Sequence, residues 1–296
     1  MKAILKYNVL KQDDNKTVET VWKQKFGISA GLFTVLKLSG KLRKNGEICR
    51  SIDTVADGDV LTADVTEEEA SENIVSSDIR FGIVYEDEFL LVTDKPRGVS
   101  VHPSIGNFDN TLANGVMYHW SKNGEKHKFH AVNRIDKDTS GICVVAKNRF
   151  AHGILSEQIK RGSFKRRYYA AVKGILPEKS GVIDKPIKRA EESVIKRIVS
   201  DDGKNAVTHY HVVNETDGVS LIDVWLETGR THQIRVHFSD MGYPLVGDWL
   251  YGEVAENEKE GHLLHAYSVE FNHPVTGEKL SFCLDLPDDM KMYKKK

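Results

Sequence analysis

The chain has 296 residues, of which 40% are hydrophobic and 29% charged, and a formal net charge of −1. That is an ordinary globular composition, long enough for one large domain plus a small one. It excludes a protein coated in positive charge, so a nucleic-acid partner must be met by a local basic face. Cys49, Cys143 and Cys283 are far apart and form no CxxC pair. This argues against a disulfide scaffold or a zinc framework and favours a reduced, cytoplasmic protein. The first residues, "MKAILKYNVLKQ", lack the apolar core of a signal peptide. No apolar run approaches the ~20 residues of a membrane helix, so no membrane partner is expected.

Residues 1–65 read as a small unit. "TVETVWKQKFG" predicts a helix in which Val18, Val21 and Trp22 share a face and Gly27 marks the end. "SAGLFTVLKLSG" predicts a second, carrying Leu32, Val35 and Leu36. Asn45-Gly46 predicts a hairpin, and "VADGDVLTADV" a turn followed by a strand. Residues 66–81, acidic and rich in Ser at first, read as a linker.

From residue 82 the texture changes. "GIVYEDEFLLVTDKP" predicts two short strands around an acidic turn, stopped at Pro96, and "TLANGVMYHW" a helix. "GICVVAK" predicts a buried strand, "FAHGILSEQIKRG" a helix ending at Gly162, and "RYYAAVKG" another strand. "SLIDVWLE" alternates like a half-buried strand. Strands outnumber helices and lack regular crossover helices, which predicts an α+β fold rather than a doubly wound sheet.

Three segments could carry chemistry. In "AVNRIDKDTSGICVVAKN" an extended backbone puts Arg134 and Asp136 on one side of a loop entering a buried strand. In "LETGRTHQIRVHFSDMGYPLVGDWLYG", Thr231 is placed to cap a helix whose apolar face is Ile234, Phe238 and Met241, with Gly242 at its stop. His232 and Arg235 lie on its other face and Arg230 just before the cap. That start suits holding an anion, and reads equally well as a solvated face. In "KRGSFKRRYYAAVKG", Lys160, Arg161, Lys165, Arg166 and Arg167 directly precede Tyr168 and Tyr169. Cations for phosphate and rings for stacking are what flipped-out bases require, although strand parity lets only one tyrosine face a given side. A metal site is not expected: His232 and His237 stand roughly 140° apart on a helix, and no HExxH pattern occurs.

Together these segments resemble the RluA-type RNA pseudouridine synthases. "NRIDKDTSGICVVAKN" looks like that family's catalytic-aspartate motif, "RRYYAAVKG" like its tyrosine motif, and "TGRTHQIRVHFSDMGYPLVGDWLYG" like its arginine-bearing signature. The resemblance covers about residues 82–287 and implies a catalytic domain over 82–290, a mainly antiparallel mixed sheet with a central cleft. Residues 1–65 resemble, more loosely, an RNA-binding module known from a small-subunit ribosomal protein. Asn133 departs from the histidine that often stands there in the family.

The resemblance implies isomerisation of uridine in ribosomal or transfer RNA. Asp136 would be the catalytic carboxylate, Tyr168 would pack on the uracil and Arg235 would pair with Asp136. Arg134, Arg230, His232, Lys165, Arg166 and Arg167 would meet the RNA. A guanidinium beside a sheltered carboxylate favours its anion, and exclusion of water prevents hydrolysis of a cleaved intermediate. No metal, nucleotide or redox cofactor is implied, and a monomer is expected. The rival readings are an RNA-binding or ribosome-assembly factor with a vestigial site, and a nucleosidase using Asp136 and Asp138.

Overall fold

The computed structural model describes residues 2–67, 71, 73–253 and 261–294. In the N-terminal unit, β1 (Ile4–Asn8), β2 (Leu42–Lys44), β3 (Glu47–Ile48) and β4 (Val60–Asp64) form an antiparallel sheet in the order β1-β4-β2-β3. Two helices accompany it, α1 (Val18–Phe26) and α2 (Ala30–Leu38). Thr17 and Ser29 cap them by accepting backbone N–H bonds, and Gly27 closes α1 in the left-handed conformation that glycine tolerates best. Asn45 and Gly46, both at positive φ, make the two-residue hairpin turn between β2 and β3. The side chain of Trp22 is fully buried, and Phe26 meets Phe150 at a ring separation of 6.4 Å. The unit thus shares a core with the rest of the chain.

Beyond it come β5 (Gly82–Glu86), β6 (Leu90–Lys95), α3 (Leu112–Lys122), β7 (His130–Ala131), β8 (Ser140–Ala146), α4 (Arg149–Lys160) and β9 (Lys165–Lys173). They are followed by β10 (Ser180–Asp184), β11 (Ile187–Arg189), β12 (Arg197–Val199), β13 (Val207–Thr216), β14 (Val219–Leu226), α5 (Gln233–Asp240), β15 (Leu264–Asn272), β16 (Lys279–Cys283) and α6 (Asp288–Lys291). One large sheet runs β10-β13-β14-β9-β15-β8-β6-β5, with β16 beside β15 and β7 beside β8. The fold is α+β. Among the described residues the paired strands run antiparallel except β8–β15, where Ser140 faces His265 and Gly141 faces Ala266.

Every residue of β8 is buried because both faces of the sheet are covered. Ile142, Val144 and Ala146 pack with α4 and the N-terminal unit, whereas Cys143 and Val145 pack with residues of α3 and α5. The same double cover corrects one expectation. β14, predicted to alternate as a half-buried strand, is buried continuously from Ser220 to Val224 between β13 and β9.

The described part of 66–81 lies against the large domain. Asn114 of α3 donates to the carbonyl of Val75 (2.8 Å), and Ser77 N–H donates to the carbonyl of Asn114 (3.2 Å). Glu67 pairs with His130 (2.7 Å) and Arg149 (3.2 Å).

Candidate active site

The loop before β8 is held from behind by a lysine. Lys95, fully buried at the end of β6, donates from Nζ to the carbonyls of Pro96 (2.9 Å), Val99 (2.6 Å) and Lys137 (3.0 Å). Gly98 N–H also donates to Lys137 O (3.0 Å). Burial pulls the pKa of Lys95 down to about 8, the cost of an ammonium out of water. With the backbone of Lys137 fixed, the loop turns at Thr139, whose N–H reaches Asp136 O (3.2 Å). Ile135 also packs with the core, and Arg134, Ile135, Asp136 and Thr139 line one cavity of about 60 Å³.

Tyr168 of β9 and Arg230, His232 and Arg235 around the start of α5 line the same cavity. Tyr168 is 5% exposed, and burial raises its pKa, which keeps the ring neutral at physiological pH. Among the described residues its hydroxyl has no hydrogen-bond partner. Arg235 Nη1 donates to Asp136 Oδ2 (3.1 Å), and its other edge is taken by the fully buried Asp248, Nε to Oδ2 at 2.7 Å and Nη2 to Oδ1 at 2.9 Å. Asp248 Oδ1 also accepts the N–H groups of Leu250 (3.1 Å) and Tyr251 (3.2 Å). The Arg235 guanidinium carbon lies 5.0 Å from the Tyr251 ring centroid. Burial works against the Arg235 charge, but the bonds and charge of Asp248, and then Asp136, raise its pKa above the ordinary value.

His232 Nε2 stands 3.8 Å from the same Asp136 oxygen. Tyr251 Oη accepts the N–H of Arg197 (2.9 Å) and lies 2.8 Å from His232 Nδ1. The Tyr251 hydroxyl thus holds the ring through Nδ1 and leaves Nε2 facing Asp136. Burial lowers the pKa of His232, so the ring is neutral near pH 7. Asp136 therefore has one oxygen engaged and Oδ1 without a partner among the described residues.

The start of α5 differs from expectation. Thr231 does not cap the helix; His232 holds the N-cap position in the left-handed conformation (φ +59°), with no side-chain cap bond. Gln233 secures this turn instead. Its Oε1 accepts from Arg230 N (3.0 Å) and Thr228 Oγ1 (2.9 Å), and its Nε2 donates to Val207 O (3.0 Å). The helix has no solvated face at this end: Gln233 through Phe238 are all buried, so Arg235 points into the protein. His237 is bonded to Thr208 Oγ1 and Lys185 O, both at 2.9 Å.

Strand parity divides the basic run of β9. Arg166 shares the face of Tyr168, and its guanidinium lies near Gly229 beside the cavity. Lys165 and Arg167 face the other way. Arg167 Nε donates to Asp223 (3.2 Å), and its guanidinium lies over Trp225. The structure thus brings Asp136, Tyr168, Arg235, Arg134, Arg230 and His232 together and leaves Lys165 and Arg167 apart from them.

A model of the family described as RNA pseudouridylate synthase matches residues 89–240, about half of the chain. The chain belongs to that family. A Bacillus subtilis relative, the uncharacterized RNA pseudouridine synthase YjbO, is 43% identical over 89% of this chain and 93% of its own length. The ribosomal large subunit pseudouridine synthase D of Pseudomonas aeruginosa is 41% identical over 84% of this chain and 82% of its own. The structure of human RNA pseudouridylate synthase domain containing 1 superposes with a TM-score of 0.60 at 28% identity, covering 71% of this chain and 84% of that one. The protein is an RNA pseudouridine synthase.

In this synthase Asn133 has a structural task. Its amide donates to Ile142 O (3.2 Å) and accepts from Val144 N (2.8 Å), tying the Arg134–Asp136 loop to β8. Sequence reasoning singled out neither Asp248, Tyr251 nor Lys95. Asp248 and Tyr251 stand in "GDWLYG", where no local pattern marks them as partners of Arg235 and His232.

Proposed function

We propose that this enzyme isomerises uridine in ribosomal RNA with Asp136 as the catalytic carboxylate. The observation that carries the reading is the single charge line Asp248–Arg235–Asp136 ending in a cavity beside Tyr168. In the reaction the N1–C1′ bond breaks, the uracil turns and a C5–C1′ bond forms. The C5 proton leaves and N1 takes one up, so no electrons are gained or lost. Arg235 holds the Asp136 carboxylate at Oδ2, with the His232 ring 3.8 Å away, leaving Oδ1 for the sugar. Tyr168 supplies a ring against which the uracil packs. A stacked base does not reach this depth, so the nucleotide swings out of the RNA, at a cost of a few kcal/mol, and exposed Arg134 at the rim meets the backbone it vacates. Support for ribosomal RNA is the name carried by the Pseudomonas relative.

The test is pseudouridine formation in an unmodified large-subunit ribosomal RNA transcript, mapped with carbodiimide. Asp136→Ala is expected to fall to background while folding and RNA binding persist; near-normal activity would remove Asp136 from the mechanism. Substrate deuterated at C2′ separates the two tasks open to the anion. Attack on C1′ leaves the rate nearly unchanged, and removal of the sugar proton slows it several-fold.

A further inference from the structure

Arg230 borders two cavities. One holds Asp136; the other lies between the Gly229–Thr231 turn and the separate two-stranded sheet of β11 and β12, where Lys188, Arg189, Arg197 and Lys204 line it. That sheet is fastened to the active-site helix. Ile187 and Val199 pack with Val236 of α5, Lys185 Nζ pairs with Asp240 (2.6 Å), and Arg197 N–H reaches the Tyr251 hydroxyl that orients His232. Its cations are therefore held at a fixed offset from Asp136.

Their charges are not equally available. Asp202 neutralises Lys188 at 2.9 Å, and the Arg197 guanidinium donates to carbonyls of its own turn, including Lys196 O (3.1 Å). Arg230 is oriented by a backbone carbonyl, Nε to Asn205 O at 2.9 Å. Arg189, Lys204 and Arg230 are exposed and have no carboxylate partner among the described residues. In a chain of net charge −1, three uncompensated cations around one groove mark a site for an anion. Aromatic side chains do not line the groove, which suits phosphates rather than bases.

We propose that this second cavity is a phosphodiester site. The RNA strand leaving the target nucleotide crosses the Gly229–Thr231 turn and lays successive phosphates against Arg230, Arg189 and Lys204. The inference rests on the reading of the first cavity as the uridine site. It adds a sequence-independent grip that sets the direction in which the strand exits.

The test uses R189A/K204A in the full-length enzyme, with the same ribosomal RNA transcript as probe. Filter binding across a potassium chloride series gives the slope of log affinity against log salt. Loss of two phosphate contacts is expected to reduce its magnitude by about 1.4–1.8. KM for the transcript should rise at least ten-fold while kcat at saturation stays unchanged. The charge-reversed R189E/K204E should weaken binding further, and E191Q/E192Q on the same hairpin should not weaken it; thermal melts check folding in each. A wild-type slope and KM in R189A/K204A would overturn the proposal. So would a fall in kcat with an unaltered slope, since the hairpin would then act only by bracing α5. Failure of the underlying reading looks different: Asp136→Ala would keep its activity, while the salt slope would still report the phosphate contacts.

Discussion

Arg235 gives two parallel N–H bonds to the buried carboxylate of Asp248 and a third N–H to Asp136, so one planar group links an anchored carboxylate to a half-buried one. The guanidinium fork fixes the direction of the third bond once the first two are made. Lysine has no such fork. Arg235→Lys is expected to lower kcat by about two orders of magnitude, a loss near 2.7 kcal/mol of transition-state stabilisation. Steady-state kinetics on the ribosomal transcript check it, and unchanged turnover would make the pairing incidental.

Asp248 touches Arg235 and does not line the cavity, so on the proposed mechanism it is a positioning residue. Asp248→Asn keeps the shape but removes the charge and one acceptor, and should depress kcat with little change in KM. Asp248→Ala strands a buried guanidinium and is expected to cost about 3–5 kcal/mol of stability. Comparing the two by kinetics and chemical denaturation separates aim from folding. A KM effect in Asp248→Asn without a kcat effect would contradict the assignment.

Gly141 sits at φ +106° where β8 meets β15, and a Cβ there would run into the backbone of Ala266, 2.9 Å from its nitrogen. Neither strand can withdraw, because both are buried in the sheet. Gly141→Ala is expected to destabilise the protein by about 3 kcal/mol through backbone strain and overpacking. A denaturation midpoint equal to wild type would show that the parallel junction is looser than this geometry.

His265, on β15 beside the start of β8, is 3% exposed and lies 2.9 Å from the Ser140 hydroxyl through Nδ1. Burial, then the charge of Arg97, lowers its pKa from 6.5 to about 4. Between those values the unfolded chain binds the proton and the folded one does not. Its contribution is therefore full above pH 6.5 and is lost as pH falls towards 4, roughly 3 kcal/mol in all. Melting temperatures at pH 7, 5.5 and 4.5 should fall more steeply for wild type than for His265→Asn. Parallel curves would show that this ring titrates alike in both states.

Local signals foretold much of this. The helix stop at Gly27, the Asn45-Gly46 turn and the apolar run of β8 each act over a few residues, so they can be read without a fold. Spacing put Arg134 and Asp136 on one side of a loop, and only the resemblance gave them roles. What stayed hidden depended on partners far along the chain. Nothing near Asp248 says that a guanidinium will meet it, and nothing near Lys95 says that three carbonyls will surround an ammonium. The cap failed for a related reason. Thr231 is the better local candidate, but the Gln233 side chain, bonded to Thr228 and Val207, twists His232 into the left-handed region and moves the helix start along. The sorting of Arg166 from Arg167 was available from strand parity alone.

The parallel junction of Ser140–Gly141 with His265–Ala266 has a consequence for how the protein is born. During translation, Asp136 leaves the ribosome well before β15, and until that strand inserts between β8 and β9 the sheet carrying Asp136 and the sheet carrying Tyr168 remain unjoined. A nascent chain halted short of Ala266 should be inert towards uridine, so the enzyme acquires its chemistry late in its own synthesis.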